Sequence, residues 1–149
     1  MMYYVDECGI EEHIHREYGY APKGIKIESK VSGKKYKRTN IVAAKCCDKI
    51  VAPMIYTGTT DSILFEYWFE NALLKSIPQY SIIILDNASF HRKSTLTTLA
   101  QSANCEVLFL PPYSPDFNII EKFGAWLKSK LRKILPNHSC FDDALMDCF

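Results

Sequence analysis

Three acidic residues stand where a carboxylate could take part in catalysis. Asp86 directly follows Ile82-Ile-Ile-Leu85, an apolar run too short for a helix and typical of a strand buried on both faces. Asp6 follows the strand-like run Met2-Tyr-Tyr-Val5, and Glu121 lies at the start of a predicted helix. If the first strand lies beside the Asp86 strand, the three carboxylates converge at one edge of a sheet, where open α/β sheets place ligands.

Clustered carboxylates repel one another, and each raises the pKa of the next unless cations are bound. Ligands that are all oxygen suit Mg²⁺ or Mn²⁺, which also accept phosphate oxygens of a substrate. Two such ions, roughly 3.5–4 Å apart, would activate a nucleophile and stabilise the leaving oxygen in phosphoryl transfer. The acids also have structural explanations: Asp86 as the cap of the following helix, and Glu121 as the partner of Asn118 in a capping box.

The first third of the chain predicts an antiparallel meander. Strand-like runs extend from Tyr36 to Lys45 and from Lys49 to Tyr56, with Cys47-Asp48 as the turn of a hairpin. The segment from Arg16 to Gly24 mixes aromatic residues with turn formers, which predicts a strand and then a turn.

The rest of the chain predicts alternating helices and strands. Asp61 is a candidate cap for a helix with an apolar stripe, which consists of Leu64, Phe65, Trp68, Phe69 and Leu73. The Asp86 strand, a helix over 92–103 and a second buried strand over 106–110 predict a βαβ unit with parallel strands. A helix begins near Asn118 and has one apolar face, formed by Ile120, Phe123, Leu127 and Leu131.

Composition bounds the class of protein. The chain has 149 residues, 48% of them apolar, which suits one folded domain. It contains no apolar stretch long enough for a membrane span and no signal-peptide pattern at its N-terminus, so we expect a cytoplasmic protein, nucleoid-associated if bacterial. The six cysteines form no C-x-x-C pair and no zinc spacing, and we expect reduced thiols.

The net charge of +1 conceals segregated charge. One base stands against five acids before Pro22, and seven bases stand against one acid from Lys23 to Arg38. Between Lys122 and Lys133 there are five bases and no acid. This pattern predicts an anionic partner on part of the surface, although either run alone is as well explained as a solvated lysine face. The predicted phosphate contacts are Lys23, Lys34, Lys35, Lys37, Arg38, Lys122, Lys128 and Arg132.

Three segments resemble the acidic motifs of DDE transposases, in the branch of bacterial insertion-sequence enzymes related to mariner elements. They are Tyr4-Val-Asp-Glu-Cys-Gly9, Leu85-Asp-Asn-Ala-Ser-Phe-His91 and Leu110-Pro-Pro-Tyr-Ser-Pro-Asp-Phe-Asn-Ile-Ile-Glu121. Between Asp86 and Glu121 lie 34 residues, the separation expected of that branch. The resemblance implies a ribonuclease-H-like α/β fold, with a mixed sheet flanked by helices. It also implies that Asp6, Asp86 and Glu121 are catalytic metal ligands.

The sequence therefore predicts a DNA transposase or endonuclease domain that uses Mg²⁺ or Mn²⁺, with two ions. It would hydrolyse phosphodiesters at transposon ends and join the 3′-hydroxyl to target DNA. Two alternatives stay open: a ribonuclease-H-like nuclease that acts on another nucleic acid, and an inactive remnant that only binds DNA or dimerises. A homodimer is also left open, and no membrane partner is expected.

The chain departs from the family pattern in several places. Family members usually have Pro where this chain has Ile119, and Leu where it has Phe117. The helix-turn-helix region that normally precedes the first motif is missing, and the chain stops inside a predicted last amphipathic helix, formed around Phe141, Ala144, Leu145 and Cys148. We therefore expect residues 1–149 to be a single catalytic domain, either excised or from a truncated reading frame.

Several other residues are weaker candidates. Asn87 and His91 could orient the Asp86 carboxylate or contact a phosphate. Asn118 is a further candidate for a residue that lies beside the three acids and supports them. Glu7 should point to the opposite side of the strand from Asp6. Nothing nearby in sequence completes a metal site with His13 and His15. The rings of Tyr113 and Trp126 could stack on bases, although Trp126 is expected in the core.

Overall fold

The computed structural model describes residues 1–11, 38–112 and 120–149, apart from the side chain of Glu121. The strands are β1 (Met2–Glu11), β2 (Arg38–Cys46), β3 (Lys49–Thr57), β4 (Ile82–Leu85) and β5 (Glu106–Phe109). The helices are α1 (Ser62–Trp68), α2 (Leu74–Ser76), α3 (Lys93–Ser102), α4 (Glu121–Ile134) and α5 (Phe141–Met146). A π-helical turn (Phe69–Leu73) joins α1 to α2, and a 3₁₀ turn (Leu135–Asn137) follows α4. Some predictions fall outside the described residues. They are the strand and turn over 16–24 and the roles of His13, His15, Lys23, Lys34, Lys35, Lys37, Tyr113 and Asn118.

The five strands form one mixed sheet in the order β3-β2-β1-β4-β5. Strand β2 pairs antiparallel with both β1 and β3, whereas β4 pairs parallel with both β1 and β5. The predicted hairpin and the predicted parallel β4-α3-β5 unit are therefore confirmed. The sheet also places the first strand directly beside β4, as the convergence of the acids requires.

Strand β1 continues through Asp6 to Glu11, so the prediction that Asp6 ends the first strand was wrong. Its parallel pairing with β4 covers Met2 to Tyr4, while its antiparallel pairing with β2 extends from Tyr4 to Glu11. Because β2 supplies backbone partners where β4 has already ended, β1 remains a strand beyond the carboxyl end of β4.

Helices cover both faces of the sheet, and each face has its own core cluster. On one face the sheet packs against α1, the π-helical turn and α3, with Phe65, Trp68, Phe69, Leu73, Leu96 and Ala100 buried. On the other face it packs against α4 and α5, with Ile120, Phe123, Leu127, Leu131, Ala144, Leu145 and Cys148 buried. The predicted apolar stripes of these helices are therefore confirmed as core, with Leu64 only partly buried.

Helix α1 is fixed at both ends by polar contacts. The Asp61 side chain accepts a hydrogen bond from the Leu64 backbone N–H at 2.7 Å, which confirms the predicted cap. At the other end, the buried Trp68 indole N–H donates to the carbonyl of Ala52 at 2.7 Å. Ala52 has a φ of 50° and lies in a β-bulge of β3 opposite Val42 and Ala44. The bulge thus supplies the partner that a buried indole N–H requires.

Two predictions of burial were wrong. Among the described strands, β5 lies at the edge of the sheet, and Leu108 is half exposed. Trp126 is also half exposed. It lies beside the buried stripe of α4, and its ring stacks on Phe123 with 5.5 Å between centroids.

Helix α4 approaches β1 closely at Gly124. A Cβ atom at Gly124 would lie 3.1 Å from the Cys8 sulfur, which is closer than ordinary van der Waals contact. Cys8 lies two residues beyond Asp6, on the same face of β1. The absence of a side chain at Gly124 therefore sets how near α4 lies to the strand that carries Asp6.

We expect Gly124→Ala to be coupled unfavourably to Cys8. Because Ala also favours a helix over Gly by up to about 1 kcal/mol, the single variant does not isolate the contact. In a double-mutant cycle followed by denaturant unfolding, Gly124→Ala should be more favourable in a Cys8→Ala background, by about 0.5 kcal/mol or more. Additive free energies would show that this contact does not limit the approach of α4.

Candidate active site

The parallel pairing of β1 with β4 brings Asp6 level with Asp86. The paired residues Met2 with Ile82, Tyr3 with Ile83 and Tyr4 with Ile84 share a constant offset of 80 residues (82 − 2). Continued by two residues, this register places Asp6 beside Asp86 just past the carboxyl end of β4. The backbones of the first two acidic motifs therefore meet at one edge of the sheet.

Helix α4 begins at Glu121, the acid of the third motif, and packs on the face of the sheet that carries Asp6. Glu121 is the first residue of α4, about one turn before Gly124, where a Cβ atom would lie 3.1 Å from the Cys8 sulfur. The start of α4 thus lies near the Asp6 segment of β1. Among the side chains that the structure describes, which exclude that of Glu121, no group of three or more His, Cys, Asp or Glu is placed to hold a metal ion.

The Asp86 carboxylate is anchored through one of its two oxygens. Oδ1 accepts a hydrogen bond from the Ala88 backbone N–H at 3.1 Å and lies 3.2 Å from His91 Nδ1. The pKa of Asp86 is lowered, mainly because His91 hydrogen-bonds to its carboxylate. Partial burial raises the pKa, and the hydrogen bond from the Ala88 N–H lowers it. The explanation of Asp86 as a helix cap was wrong, because α3 begins at Lys93 with Arg92 at its N-cap.

His91 is a buried residue that joins Asp86 to Glu7. Its side chain is only 2% exposed, and its ring lies 4.3 Å from that of Phe65 and 4.5 Å from that of Phe90. Nδ1 contacts both Oδ1 and the carbonyl oxygen of Asp86, at 3.2 and 3.3 Å. A ring nitrogen between two acceptor oxygens must carry the proton.

The opposite ring nitrogen of His91 faces Glu7. Nε2 lies 3.4 Å from Glu7 Oε1, yet neither buried atom has a partner of regular hydrogen-bond geometry among the described residues. We take the pair as an ionic contact, because the distance suits one. Burial lowers the pKa of His91, but the contacts with Asp86 and Glu7 outweigh it and raise the pKa to about 9. His91 is therefore an imidazolium between two carboxylates at neutral pH.

Sequence reasoning gave His91 only a secondary place and gave Glu7 none. Glu7 does lie on the opposite face of β1 from Asp6, but that face leads to His91. The link between Glu7 and His91 could have been found only from the pairing of β1 with β4. An acid next to Asp6 and a histidine five residues after Asp86 meet only if these two strands are neighbours. Asn87, the other secondary candidate within the described residues, is exposed.

Predicted DNA-contacting bases lie on two sides of the Asp6 segment. Lys128 and Arg38 both lie near Cys8. Burial raises the pKa of the Cys8 thiol, the positive charges of Lys128 and Arg38 lower it, and the negative charge of Asp6 raises it. The guanidinium group of Arg38 also lies against Gly9, in space that a Cβ would fill. Lys122 and Arg132 are exposed on α4. Four of the predicted phosphate contacts are thus accessible or near the acidic motifs.

A mixed five-stranded sheet with helices on both faces and acids at the end of β4 is the architecture of a ribonuclease-H-like catalytic core. The family model described as DDE superfamily endonuclease matches residues 1–143. The chain therefore belongs to this family, and the predicted family is confirmed. No curated protein matches the chain.

Solved structures with the same fold include transposase and integrase chains. The chain is similar to the Mos1 transposase paired-end complex with left transposon end (TM-score 0.64, 21% identity, 85% of this chain and 41% of that chain). It is likewise similar to the mariner Mos1 paired end complex with Mg (TM-score 0.65, 21% identity, 84% and 41%). A third is the catalytic core domain of BIV integrase (TM-score 0.54, 13% identity, 74% and 72%). These likenesses confirm the predicted fold, and the chain spans about two fifths of the Mos1 chains. Within its described residues, no helix has the length and apolarity to cross a membrane.

We expect His91→Phe to destabilise the fold. Phe keeps an aromatic ring between Phe65 and Phe90, but it leaves the Glu7 carboxylate beside an apolar ring with no charged partner among the described residues. Breaking a buried ion pair from one side costs about 3–5 kcal/mol, and the partial exposure of Glu7, 16% at its side chain, places the expected loss at the lower end. Adding Glu7→Leu should recover most of it. Chemical denaturation of the two single variants and the double variant measures this, and a double variant no more stable than His91→Phe would contradict it.

Proposed function

We propose that this chain is the catalytic domain of a DNA transposase, acting on phosphodiesters at transposon ends and transferring the resulting 3′-hydroxyl to target DNA. The observation that carries the proposal is the β1–β4 register, whose continuation beyond Tyr4 and Ile84 brings Asp6 level with Asp86 just past the carboxyl end of β4. Membership of the DDE superfamily endonucleases supports it. Two of the Mos1 structures with the same fold are a paired-end complex with the left transposon end and a strand transfer complex.

The residues that would hold divalent cations are Asp6, Asp86 and Glu121. The donors are all carboxylate oxygens, which Mg²⁺ and Mn²⁺ prefer. The Asp86 contacts with Ala88 and His91 both use Oδ1, so Oδ2 takes no part in them and suits a cation. Two Mos1 complexes of this fold are described with Mn and with Mg. When bound, two such ions supply Lewis-acid stabilisation of the phosphate charge that develops during transfer.

The protein's own groups fix the geometry of the acids and attract DNA. Asp86 stays ionised because His91 and the Ala88 N–H stabilise its carboxylate. The exposed bases of α4, Lys122 and Arg132 among them, would contact phosphates and add affinity that does not depend on base sequence. Lys128 lies near Cys8, so this basic surface continues towards Asp6.

Asp86→Asn should abolish DNA cleavage that depends on Mg²⁺ or Mn²⁺ while the fold survives. Asn keeps the shape of the side chain but removes the charge that cations need, and losing several kcal/mol of transition-state stabilisation lowers the rate at least about 100-fold. The measurement is nicking of a supercoiled plasmid and of a transposon-end duplex.

Glu106→Gln is the matched control for Asp86→Asn. Glu106 is an exposed acid at the amino end of β5, on the opposite edge of the sheet from Asp86, so its variant should cleave like the wild type. If Asp86→Asn cleaves at the wild-type rate, the proposed site is wrong.

DNA binding should be sensitive to salt, and Lys122→Gln should reduce that sensitivity. Each phosphate contact contributes about 0.9 to the slope of log affinity against log salt concentration. We expect the slope to fall by about 1 for Lys122→Gln and to stay unchanged for Lys75→Gln, whose side chain is exposed on α2. Fluorescence anisotropy with a labelled duplex at several salt concentrations measures both slopes. Equal changes would mean that α4 does not face DNA.

A further inference from the structure

We propose that Glu7 and His91 form a buried support that orients the Asp86 carboxylate for cation binding. In this role both are positioning residues, since neither would contact the cation or the DNA. The inference rests on the proposed function of Asp86 as a metal ligand. It adds a role for the opposite face of β1 from the one that carries Asp6.

His91, the most buried of the three side chains, joins the partly buried Glu7 to the more exposed Asp86. Exposure of the side chain is 16% for Glu7, 2% for His91 and 45% for Asp86. His91 Nε2 faces Glu7 Oε1 at 3.4 Å, and its Nδ1 faces Asp86 Oδ1 at 3.2 Å. The only well-exposed member is therefore the one with a proposed role in chemistry.

Burial of two polar groups behind Asp86 calls for an explanation. A Glu and a His removed from water cost free energy that an apolar pair of similar size would not. Glu7 Oε1 and His91 Nε2 are fully buried, and neither has another regular hydrogen-bond partner among the described residues. Because burying this pair is unfavourable, its presence is better explained by its contact with Asp86 than by a contribution to the stability of the fold.

The contacts at Asp86 show what the pair does. Asp86 lies past the end of β4, where no strand ladder holds it. Its Oδ1 accepts a hydrogen bond from the Ala88 N–H, and His91 Nδ1 lies 3.2 Å from the same oxygen while it hydrogen-bonds to the Asp86 carbonyl oxygen at 3.3 Å. These contacts hold both the main chain and one carboxylate oxygen of Asp86, and neither carboxylate contact uses Oδ2.

Rings and a carboxylate hold His91 in turn. Phe65 and Phe90 pack against its ring with centroids 4.3 and 4.5 Å away. Glu7 then selects between the two flipped orientations of the ring, because only one of them directs Nδ1–H at Asp86 and Nε2 at a carboxylate. Residues that hydrogen-bond metal ligands typically change metal affinity 10–100-fold when mutated.

The test measures Mn²⁺ binding to the full chain directly, by electron paramagnetic resonance of free Mn²⁺, with plasmid nicking as a second measurement. We expect the double variant Glu7→Leu/His91→Phe, which keeps a packed interior without a buried charge, to bind Mn²⁺ about 10–100-fold more weakly. Glu7→Leu alone should also weaken binding. In an Asp86→Asn background, the double substitution should have no further effect, because the support then has no carboxylate to orient.

Two controls separate positioning from general destabilisation. Glu11→Leu removes an exposed acid from the same strand and the same face as Glu7, and it should leave Mn²⁺ affinity unchanged. Trp68→Phe weakens the same core cluster without touching the three residues, so it should lower the thermal midpoint but not the affinity.

The outcomes distinguish the inference from the proposed function. Wild-type Mn²⁺ affinity in the double variant, with Asp86→Asn impaired, would overturn the inference and leave the proposed function standing. Absence of any Asp86-dependent Mn²⁺ binding in the wild type would overturn the inference. Asp86-dependent binding that the double variant weakens, without DNA cleavage by the wild type, would support the inference and refute the proposed function.

Discussion

The parallel pairing between β1 and β4 is the constraint on which the site depends. Its fixed offset places Asp6 level with Asp86 and Glu7 within reach of His91. A slip of one residue would send Asp6 to the face that now carries Glu7, because side chains alternate along a strand. The register is held by burial, since Tyr3 and Val5 of β1 and Ile83 and Leu85 of β4 all lie in one core cluster. The positions of the acids at the edge are therefore fixed by the packing of the strand residues that precede them.

Strand β1 serves the site from both of its faces. On one face, Asp6 and Cys8 lie towards α4, whose Gly124 allows the helix to come close. On the other face, Glu7 reaches the buried imidazole that holds Asp86. This arrangement explains why the strand must continue beyond β4, as antiparallel pairing with β2 allows. Without that pairing, the second half of β1 would have no backbone partner at the level of the acids.

Local patterns were sufficient for most of the elements. The apolar run before Asp86, the Asp61 cap and the apolar stripes of α1 and α4 are each encoded within a few neighbouring residues, and each is confirmed. Predictions of burial were less secure. Leu108 and Trp126 have apolar side chains in apolar segments, yet both are half exposed. An apolar segment shows that it can be buried, but strand order and helix rotation decide whether another element covers it.

The sequence by itself determined the family and the fold class and predicted the three acids of the candidate site, because motif spacing and strand patterns are local properties of the chain. Only the tertiary structure decided that β1 passes through Asp6, that β5 lies at the edge, and that Glu7, His91 and Asp86 form one connected group. These features depend on which strands are neighbours and in what register. Such pairings join residues about 80 positions apart, and no local propensity specifies them. They are set by the packing of the whole sheet between its two layers of helices.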